Sequence, residues 1–125
     1  RPGGQPEDLA LEMVMRNFGG ISTSRLNRNL RLDKHWSYGA QGVIQRARGQ
    51  RPFLVLAPVQ TDKTRESMLE VRQEILGVAG ERPVRGEEFE SIKRNMTLSL
   101  PGRFETLASL ESAAIDLITL RYPAK

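Results

Sequence analysis

The sequence contains no cysteine and a single histidine, His35. Without cysteine the chain can form no disulfide framework, no thiolate zinc site and no cysteine nucleophile, although the compartment stays open because periplasmic proteins can also lack cysteine. A single histidine argues against a histidine-rich metal site and against a Ser-His-Asp triad, unless another chain contributes groups. The sequence therefore predicts that this chain performs no hydrolytic chemistry by itself.

A long apolar run and an amino-terminal targeting segment are also missing. The longest apolar run, residues 53–59, is far shorter than the roughly 18 residues that span a bilayer, so we expect no membrane span. The first six residues, Arg-Pro-Gly-Gly-Gln-Pro, lack the apolar core of a secretory signal, and no initiator methionine precedes them. We expect a segment of a longer protein, for which a periplasmic or secreted location would fit if a signal peptide has been removed.

The size and composition are those of one small globular unit. The chain has 125 residues, of which 38% are hydrophobic and 27% are charged. A typical domain has roughly 150 residues, so we treat residues 1–125 as a single and incomplete domain. With 11 glycines and 7 prolines spread along the chain, the composition fits neither a collagen-like repeat nor wholesale disorder.

Positive charge is concentrated in one part of the chain. The net charge is +4, and residues 63–125 hold 10 basic and 10 acidic side chains, so the excess lies in the first half. Between residues 25 and 51 a single acid, Asp33, accompanies seven basic side chains: Arg25, Arg28, Arg31, Lys34, Arg46, Arg48 and Arg51. Such a stretch can bind phosphates or carboxylates, or it can form an ordinary solvated surface.

Apolar spacing and breaker residues predict helices at both ends and a β-hairpin in the middle. In chain order we first expect a helix at 6–18 that ends at Gly19-Gly20, and a second helix capped by one of residues 22–24. A strand from Trp36, a turn at 48–50 and a strand at 53–59 form the hairpin. Three helices follow: one from 62 to about 80, one between Gly86 and Pro101, and a last one at 104–120. The expected inward faces are Trp36, Tyr38 and Ala40 on the first strand; Met68, Val71, Ile75, Leu76 and Ala79; Phe89, Ile92 and Met96; and Leu107, Ala108, Ala114, Ile115 and Ile118.

These elements predict an α+β fold in which an antiparallel sheet, the hairpin of about residues 36–60, packs against several helices. A lone two-stranded hairpin is marginally stable in water. We therefore expect a missing segment or another chain to complete the sheet, and its exposed edge could also join two copies of the chain.

The most informative stretch joins several short motifs in order. Asn17, Gly19-Gly20, Ser24-Arg25-Leu26, Leu30-Arg31 and Tyr38-Gly39 follow one another at the spacing N-x-GG-x3-SRL-x3-LR-x6-YG. This pattern resembles the insulinase and pitrilysin family of zinc metallopeptidases. The likeness continues through residues 59–64, 82–88 and 100–102 into the last helix, so it covers most of the chain.

The resemblance implies a protein larger than this chain. Members of the family are built from repeated α+β domains that face each other across a closed chamber, and an early domain holds zinc through an H-x-x-E-H motif. That motif is absent here, because His35 is followed directly by Trp36. We expect this chain to bind no metal and no cofactor, and we expect zinc in a catalytic domain of the same chain or of a partner chain. The resemblance further implies a peptide substrate.

Two site residues follow from the resemblance. A non-catalytic domain of the family supplies an arginine and a tyrosine seven residues apart, which reach over the bound peptide, and Arg31 and Tyr38 match this pair in type, spacing and context. A guanidinium and a phenol can donate hydrogen bonds to the oxygen that becomes negative during peptide hydrolysis. From the residue types alone, Arg31 could instead pair with a surface acid and Tyr38 could pack in the sheet. The family commonly has an acid directly after the arginine, where this chain has Leu32.

The sequence also permits other functions. The same fold without activity could serve as a structural or assembly subunit, and an H-x-x-E-H motif in a neighbouring domain would distinguish a working peptidase from such a scaffold. The basic stretch could belong to a nucleic-acid-binding module, which we do not expect because Leu26 and Leu30 are needed for packing. Family members can guide substrate with a glycine loop, but we interpret Gly19-Gly20 as a helix C-cap and tight turn.

Overall fold

The computed structural model describes residues 7–45, 47 and 49–120, so the predicted opening of the first helix at Pro6, the side chains of Arg46 and Arg48, and the start of the predicted turn at 48–50 lie outside the described residues. The described elements are, in chain order, α1 (Asp8–Met15), a π-helical turn (Arg16–Gly20), α2 (Arg25–Asn27), a second π-helical turn (Arg28–Asp33), β1 (Gln41–Ile44), β2 (Phe53–Leu56), a 3-10 turn (Thr61–Lys63), α3 (Thr64–Ala79), α4 (Gly86–Ser99), a 3-10 turn (Pro101–Phe104) and α5 (Leu107–Leu120). The predicted α+β fold is confirmed.

The sheet of the described residues consists of one antiparallel hairpin. β1 pairs with β2 in a register that places Gln41 opposite Leu56 and Ile44 opposite Phe53. An isolated bridge between Ser37 and Val59 continues the pairing beyond the strands. The strand that was expected to begin at Trp36 therefore begins later. β2 ends at Leu56, before Pro58, because proline cannot donate a hydrogen bond to a ladder.

A turn at Ser37 exchanges the buried and exposed positions expected for residues 37 and 38. The Ser37 hydroxyl donates to the carbonyl oxygen of Pro58 at 2.6 Å and accepts a hydrogen bond from the N–H of Gly39 at 3.1 Å. This local turn interrupts the alternation at residues 37 and 38 only, and the predicted phase resumes at Ala40. Ser37 is consequently buried, and Tyr38, which was expected on the buried face, is 99% exposed. The prediction for Tyr38 was wrong, whereas Ala40 is buried as expected.

The core lies where the two π-helical turns meet the hairpin. Its fully buried members are Phe18, Leu26, Leu30 and Ala40, with Trp36 partly buried against them. Phe18 also contacts Phe53 of β2 edge to face, with ring centroids 5.6 Å apart. The core thus joins the helical segments 16–33 to both strands.

Close backbone contact explains the first of the two glycines at the end of the first helical segment. A Cβ atom added to Gly19 would lie 2.2 Å from the backbone nitrogen of Gly42 in β1. The chain stays helical through Gly20 and becomes extended at Ile21, with φ −136° and ψ 163°. The helical segment thus ends at Gly20 as expected, but the C-cap position falls on Ile21 rather than on the glycines, and Gly19 serves the approach of the first π-helical turn to β1.

The bounds of α3 agree with the prediction, but its buried face does not. Ser67, Glu74 and Gly77 are buried, whereas Met68 and Leu76 are 69% and 54% exposed. Small and hydrogen-bonded side chains let α3 approach the second π-helical turn closely. The apolar stripe of the helix instead lines an open groove of about 360 Å³, formed with Val55, Ala57 and Val59. We call this the α3–β2 groove.

The last two helices follow the predicted bounds with different degrees of packing. In α4, Ile92 is buried at 3% exposure as expected, and Phe89 remains 40% exposed. α5 packs against the 3-10 turn that precedes it. All five residues expected on its inner face are exposed, among them Leu107 at 86% and Ile118 at 76%. The prediction of that inner face was wrong, because amphipathic spacing does not reveal whether a packing partner is present.

Candidate functional site

Arg31 and Tyr38 line one open groove on the surface. The groove has a volume of about 670 Å³. Its walls come from the second π-helical turn, the segment that leads to β1 and the segment that follows β2, and they consist of Arg31, Leu32, His35, Trp36, Ser37, Tyr38, Pro58, Val59 and Gln60. We call it the Arg31–Tyr38 groove. The two residues that the family motif singled out therefore share one site.

Backbone hydrogen bonds fold the segment between Arg31 and Tyr38 back over the turn. The carbonyl oxygen of Leu30 accepts from the N–H groups of Trp36 at 2.9 Å and of Ser37 at 3.2 Å. The reversal is completed at His35, whose φ of 56° lies in the left-handed region that residues other than glycine seldom occupy. Such strained residues cluster at functional sites. His35 Nδ1 also contacts the Arg31 carbonyl oxygen at 3.0 Å.

The opposite wall is tied to this reversal through Gln60. Its backbone N–H donates to the carbonyl oxygen of Trp36 at 2.9 Å, and its side-chain amide donates to the carbonyl oxygen of His35 at 3.2 Å. Together with the Ser37 contact to Pro58, these bonds fix the distance between the walls. Hydrogen bonds to the backbone therefore connect the two walls of the groove.

The two donor groups of the site point into solvent. Arg31 is exposed, and the ring of Tyr38 is 99% exposed. Within the described ranges, the guanidinium of Arg31 and the hydroxyl of Tyr38 make no hydrogen bond or ion pair. The simpler interpretations, a surface ion pair for Arg31 and sheet packing for Tyr38, therefore do not describe this structure.

Asn27 is a structural residue that the sequence analysis did not identify. Its side-chain Nδ2 donates to the carbonyl oxygens of Ile21 at 3.0 Å and of Ala40 at 2.9 Å, while its Oδ1 accepts from the N–H of Ala40 at 2.9 Å. A buried amide that satisfies backbone groups on two segments fixes them relative to each other. The only sequence signal is a polar residue between the core positions Leu26 and Leu30.

Several cations of the basic stretch are already engaged. Arg25 forms a bidentate pair with Glu88 of α4, Arg51 contacts Asp8 at 2.6 Å, and Lys34 contacts Glu70 at 3.2 Å. Paired cations contribute little to phosphate binding, so these contacts weaken the nucleic-acid interpretation. The contacts tie α2 to α4, the hairpin loop to α1, and the end of the second π-helical turn to α3.

The pair of Arg25 and Glu88 gives a pH-dependent prediction. Hydrogen bonding from Arg25 is the largest influence that holds the pKa of Glu88 below its ordinary value of 4.5, against the opposing effect of burial. Because the pKa of the folded state is depressed, this stabilisation is present above the unfolded pKa and is lost as the pH falls through the folded pKa. We expect Glu88→Gln to lower the free energy of unfolding by about 0.5–1 kcal/mol at pH 7, and by less below pH 4.

The matched control is Glu87→Gln, because Glu87 is an exposed neighbour in the same first turn of α4. Both substitutions remove one negative charge from the same helix terminus, but Glu87 pairs with no arginine of the described residues. Urea titrations at several pH values measure the difference. Equal losses for the two variants at pH 7 would contradict the assignment of stability to the pair.

Comparison with known proteins places these features in a family. The sequence profile of the peptidase M16 inactive domain matches residues 2–96. The chain belongs to the peptidase M16 inactive-domain family. The predicted resemblance to the insulinase and pitrilysin peptidases is confirmed at this level, with the chain on the non-catalytic side of the family.

Solved structures share the fold of this M16 domain. A peptidase M16 inactive domain from Pseudomonas fluorescens superposes with a TM-score of 0.85 at 14% identity, over 98% of this chain and 29% of that one. A conserved protein from Enterococcus faecalis superposes with a TM-score of 0.77 at 20% identity, over 99% of this chain and 29% of that one. The chain thus spans under a third of the length of either structure. No curated protein matches it.

The M16 domain carries no catalytic metal centre of its own in the part of the chain that the structure describes. No group of three or more histidine, aspartate or glutamate side chains there could hold a metal ion. Family membership agrees with this finding, since the inactive domain is not the catalytic one. Across the described ranges, no helix is long and apolar enough to cross a bilayer.

Proposed function

We propose that this M16 domain is the non-catalytic part of a zinc-dependent metallopeptidase and supplies Arg31 and Tyr38 to peptide binding and transition-state stabilisation. The observation that carries the proposal is the shared groove: the guanidinium of Arg31, which pairs with no described residue, and the 99% exposed ring of Tyr38 line the same 670 Å³ opening. A solvent-exposed tyrosine at the rim of a groove is suited to a partner that arrives from outside.

The role proposed for Arg31 and Tyr38 requires hydrogen-bond donors, which both side chains provide. A guanidinium offers several N–H donors and stays ionised, and a phenol offers one O–H donor. Both can donate to the carbonyl oxygen of a bound peptide, and these bonds become stronger as negative charge develops on that oxygen. Zinc, held by the catalytic domain, would polarise the same bond. Leu32, at the position where the family commonly has an acid, leaves Arg31 without an adjacent carboxylate.

We further propose that residues 1–125 are part of a larger domain. The hairpin leaves the second edge of β2 without a strand partner among the described residues, and the α3–β2 groove leaves Met68 and Leu76 exposed beside it. Further strands from the same protein or another chain would cover both surfaces. The same exposed edge would let two copies associate if neither partner were present.

A reconstitution experiment tests the proposed function. The chain alone is expected to hydrolyse no peptide and to retain no stoichiometric zinc. Joined to its zinc-bearing catalytic domain, in one polypeptide or as a partner chain, it is expected to cleave a fluorogenic peptide, and a zinc chelator should abolish the cleavage. A complex that assembles with zinc bound but cleaves no peptide would favour the alternative of a structural subunit.

A further inference from the structure

Two carboxylates of helix α3 contact the second π-helical turn, which carries Arg31 and forms one wall of the Arg31–Tyr38 groove. Asn29, in the second π-helical turn, donates from Nδ2 to Oε2 of Glu70 at 2.9 Å and to Oε1 of Glu74 at 3.1 Å. Glu74 is buried and also lies 3.4 Å from the guanidinium of Arg82. The carboxylates of α3 thus bind the start of the segment that carries Arg31.

The second oxygen of Glu70 binds the other end of that segment. Oε1 of Glu70 lies 3.2 Å from Nζ of Lys34, which caps the π-helical turn. The same ammonium lies 5.1 Å from the centre of the Trp36 ring, a distance at which a cation is attracted by the face of an aromatic ring. One carboxylate therefore connects to the groove wall through Lys34 and Trp36.

We propose that Glu70 is a positioning residue, which fixes Lys34 against Trp36 and thereby fixes the aromatic wall of the Arg31–Tyr38 groove. The role of this wall in peptide binding rests on the proposed function, whereas the positioning of Trp36 does not. Glu70 is not one of the residues that line the groove, so its influence passes through Lys34.

The contacts of Glu70 go beyond those of an isolated surface pair. The side chains of Lys34 and Glu70 are 30% and 22% exposed, so both are partly shielded from water. Hydrogen bonding from Asn29, followed by the contact with Lys34, lowers the pKa of Glu70 against the effect of burial. Partly exposed ion pairs contribute little to stability, so we expect the consequence of losing this pair in the geometry of Trp36 rather than in unfolding.

The test uses the fact that Trp36 is the only tryptophan of the chain. Tryptophan emission of the full 125-residue chain therefore reports the environment of this ring alone. In the Glu70→Gln variant, the new side-chain amide oxygen can still accept the hydrogen bond from Asn29, but the negative charge that attracts Lys34 is lost. We expect a shift of the emission maximum to longer wavelength and stronger quenching by acrylamide, a neutral quencher, while circular dichroism stays unchanged.

A double-mutant cycle with Lys34→Met separates positioning from a general effect of lost charge. The methionine keeps a long apolar side chain beside Trp36 but cannot pair with Glu70. The spectral effect of Glu70→Gln should vanish in the Lys34→Met background. Glu66→Gln, one turn earlier on α3, should leave the emission of Trp36 unchanged. If Glu70→Gln fails to fold, Lys34→Gln provides the same spectral comparison.

The proposal is overturned if Glu70→Gln leaves the emission and quenching of Trp36 unchanged, or if its effect is the same in both Lys34 backgrounds. In the assembled peptidase, we expect Glu70→Gln to raise KM about three- to tenfold with kcat nearly unchanged, since a misplaced wall weakens binding rather than the chemical step. A fluorescence change without any effect of Arg31 or Tyr38 on activity would refute the proposed function and leave the positioning of Trp36 intact.

Discussion

Replacement of Arg31 by alanine together with Tyr38 by phenylalanine is expected to lower kcat/KM of the assembled peptidase by about 10²–10³-fold, the loss that follows removal of an oxyanion donor. The physical reason lies in the groove. Both donors are unpaired among the described residues, so each is available to a peptide carbonyl.

The kinetic constants show at which stage the pair acts. If Arg31 and Tyr38 stabilise the transition state, kcat falls with kcat/KM. If they only hold the bound peptide, KM rises while kcat is preserved. Arg65→Ala is the matched control, because Arg65 is an exposed arginine on α3 outside the groove. A loss of less than about threefold for the double variant would show that the two residues do not have the proposed role.

The second large effect concerns the contact between the first π-helical turn and β1. Gly19→Ala is expected to lower the free energy of unfolding by about 3 kcal/mol, because the new methyl group meets backbone that cannot rotate away. The added Cβ atom would lie 2.2 Å from the nitrogen of Gly42 and 2.9 Å from its Cα atom. Relief requires separation of the turn from the strand, which would also disturb the neighbouring contact between Phe18 and Phe53.

Chemical denaturation measures this effect, with Gly102→Ala as the control. A Cβ atom at Gly102 would have no neighbouring atom within 4 Å, so its substitution should change stability by no more than about 0.5 kcal/mol. Gly20→Ala provides an intermediate case, since its closest contacts, at 3.3 Å, are a side-chain carbon of Arg16 and a backbone oxygen of Met15. Stability of Gly19→Ala equal to that of Gly102→Ala would refute the steric argument.

Local patterns in the sequence predicted the elements better than they predicted the buried faces. The bounds of α3 and α5 follow from apolar spacing and from glycine and proline positions, which act within a few residues. The buried face depends on what lies beside the helix. In α3, Asn29 attracts Glu74 inward and the apolar Met68 remains outside, which no periodicity could reveal.

The two candidate site residues were identified on a different basis. Arg31 and Tyr38 were singled out by a motif that resembles a family, and the structure places both on one groove. Sequence reasoning could not derive this arrangement, because it depends on the left-handed turn at His35 and on the hydrogen bonds of Ser37. Asn27 was missed because a single amide between two core leucines has no distinctive spacing.

The open α3–β2 groove affects how stability values for this M16 domain should be interpreted. Anything that binds the folded chain but not the unfolded chain raises the apparent free energy of unfolding by mass action. A strand or subunit that covers the groove would therefore stabilise the domain in proportion to its affinity and concentration. With such a partner, a melting temperature measured on the chain alone would be a lower bound for the assembled protein, and substitutions in the core would be tolerated better after assembly than before it.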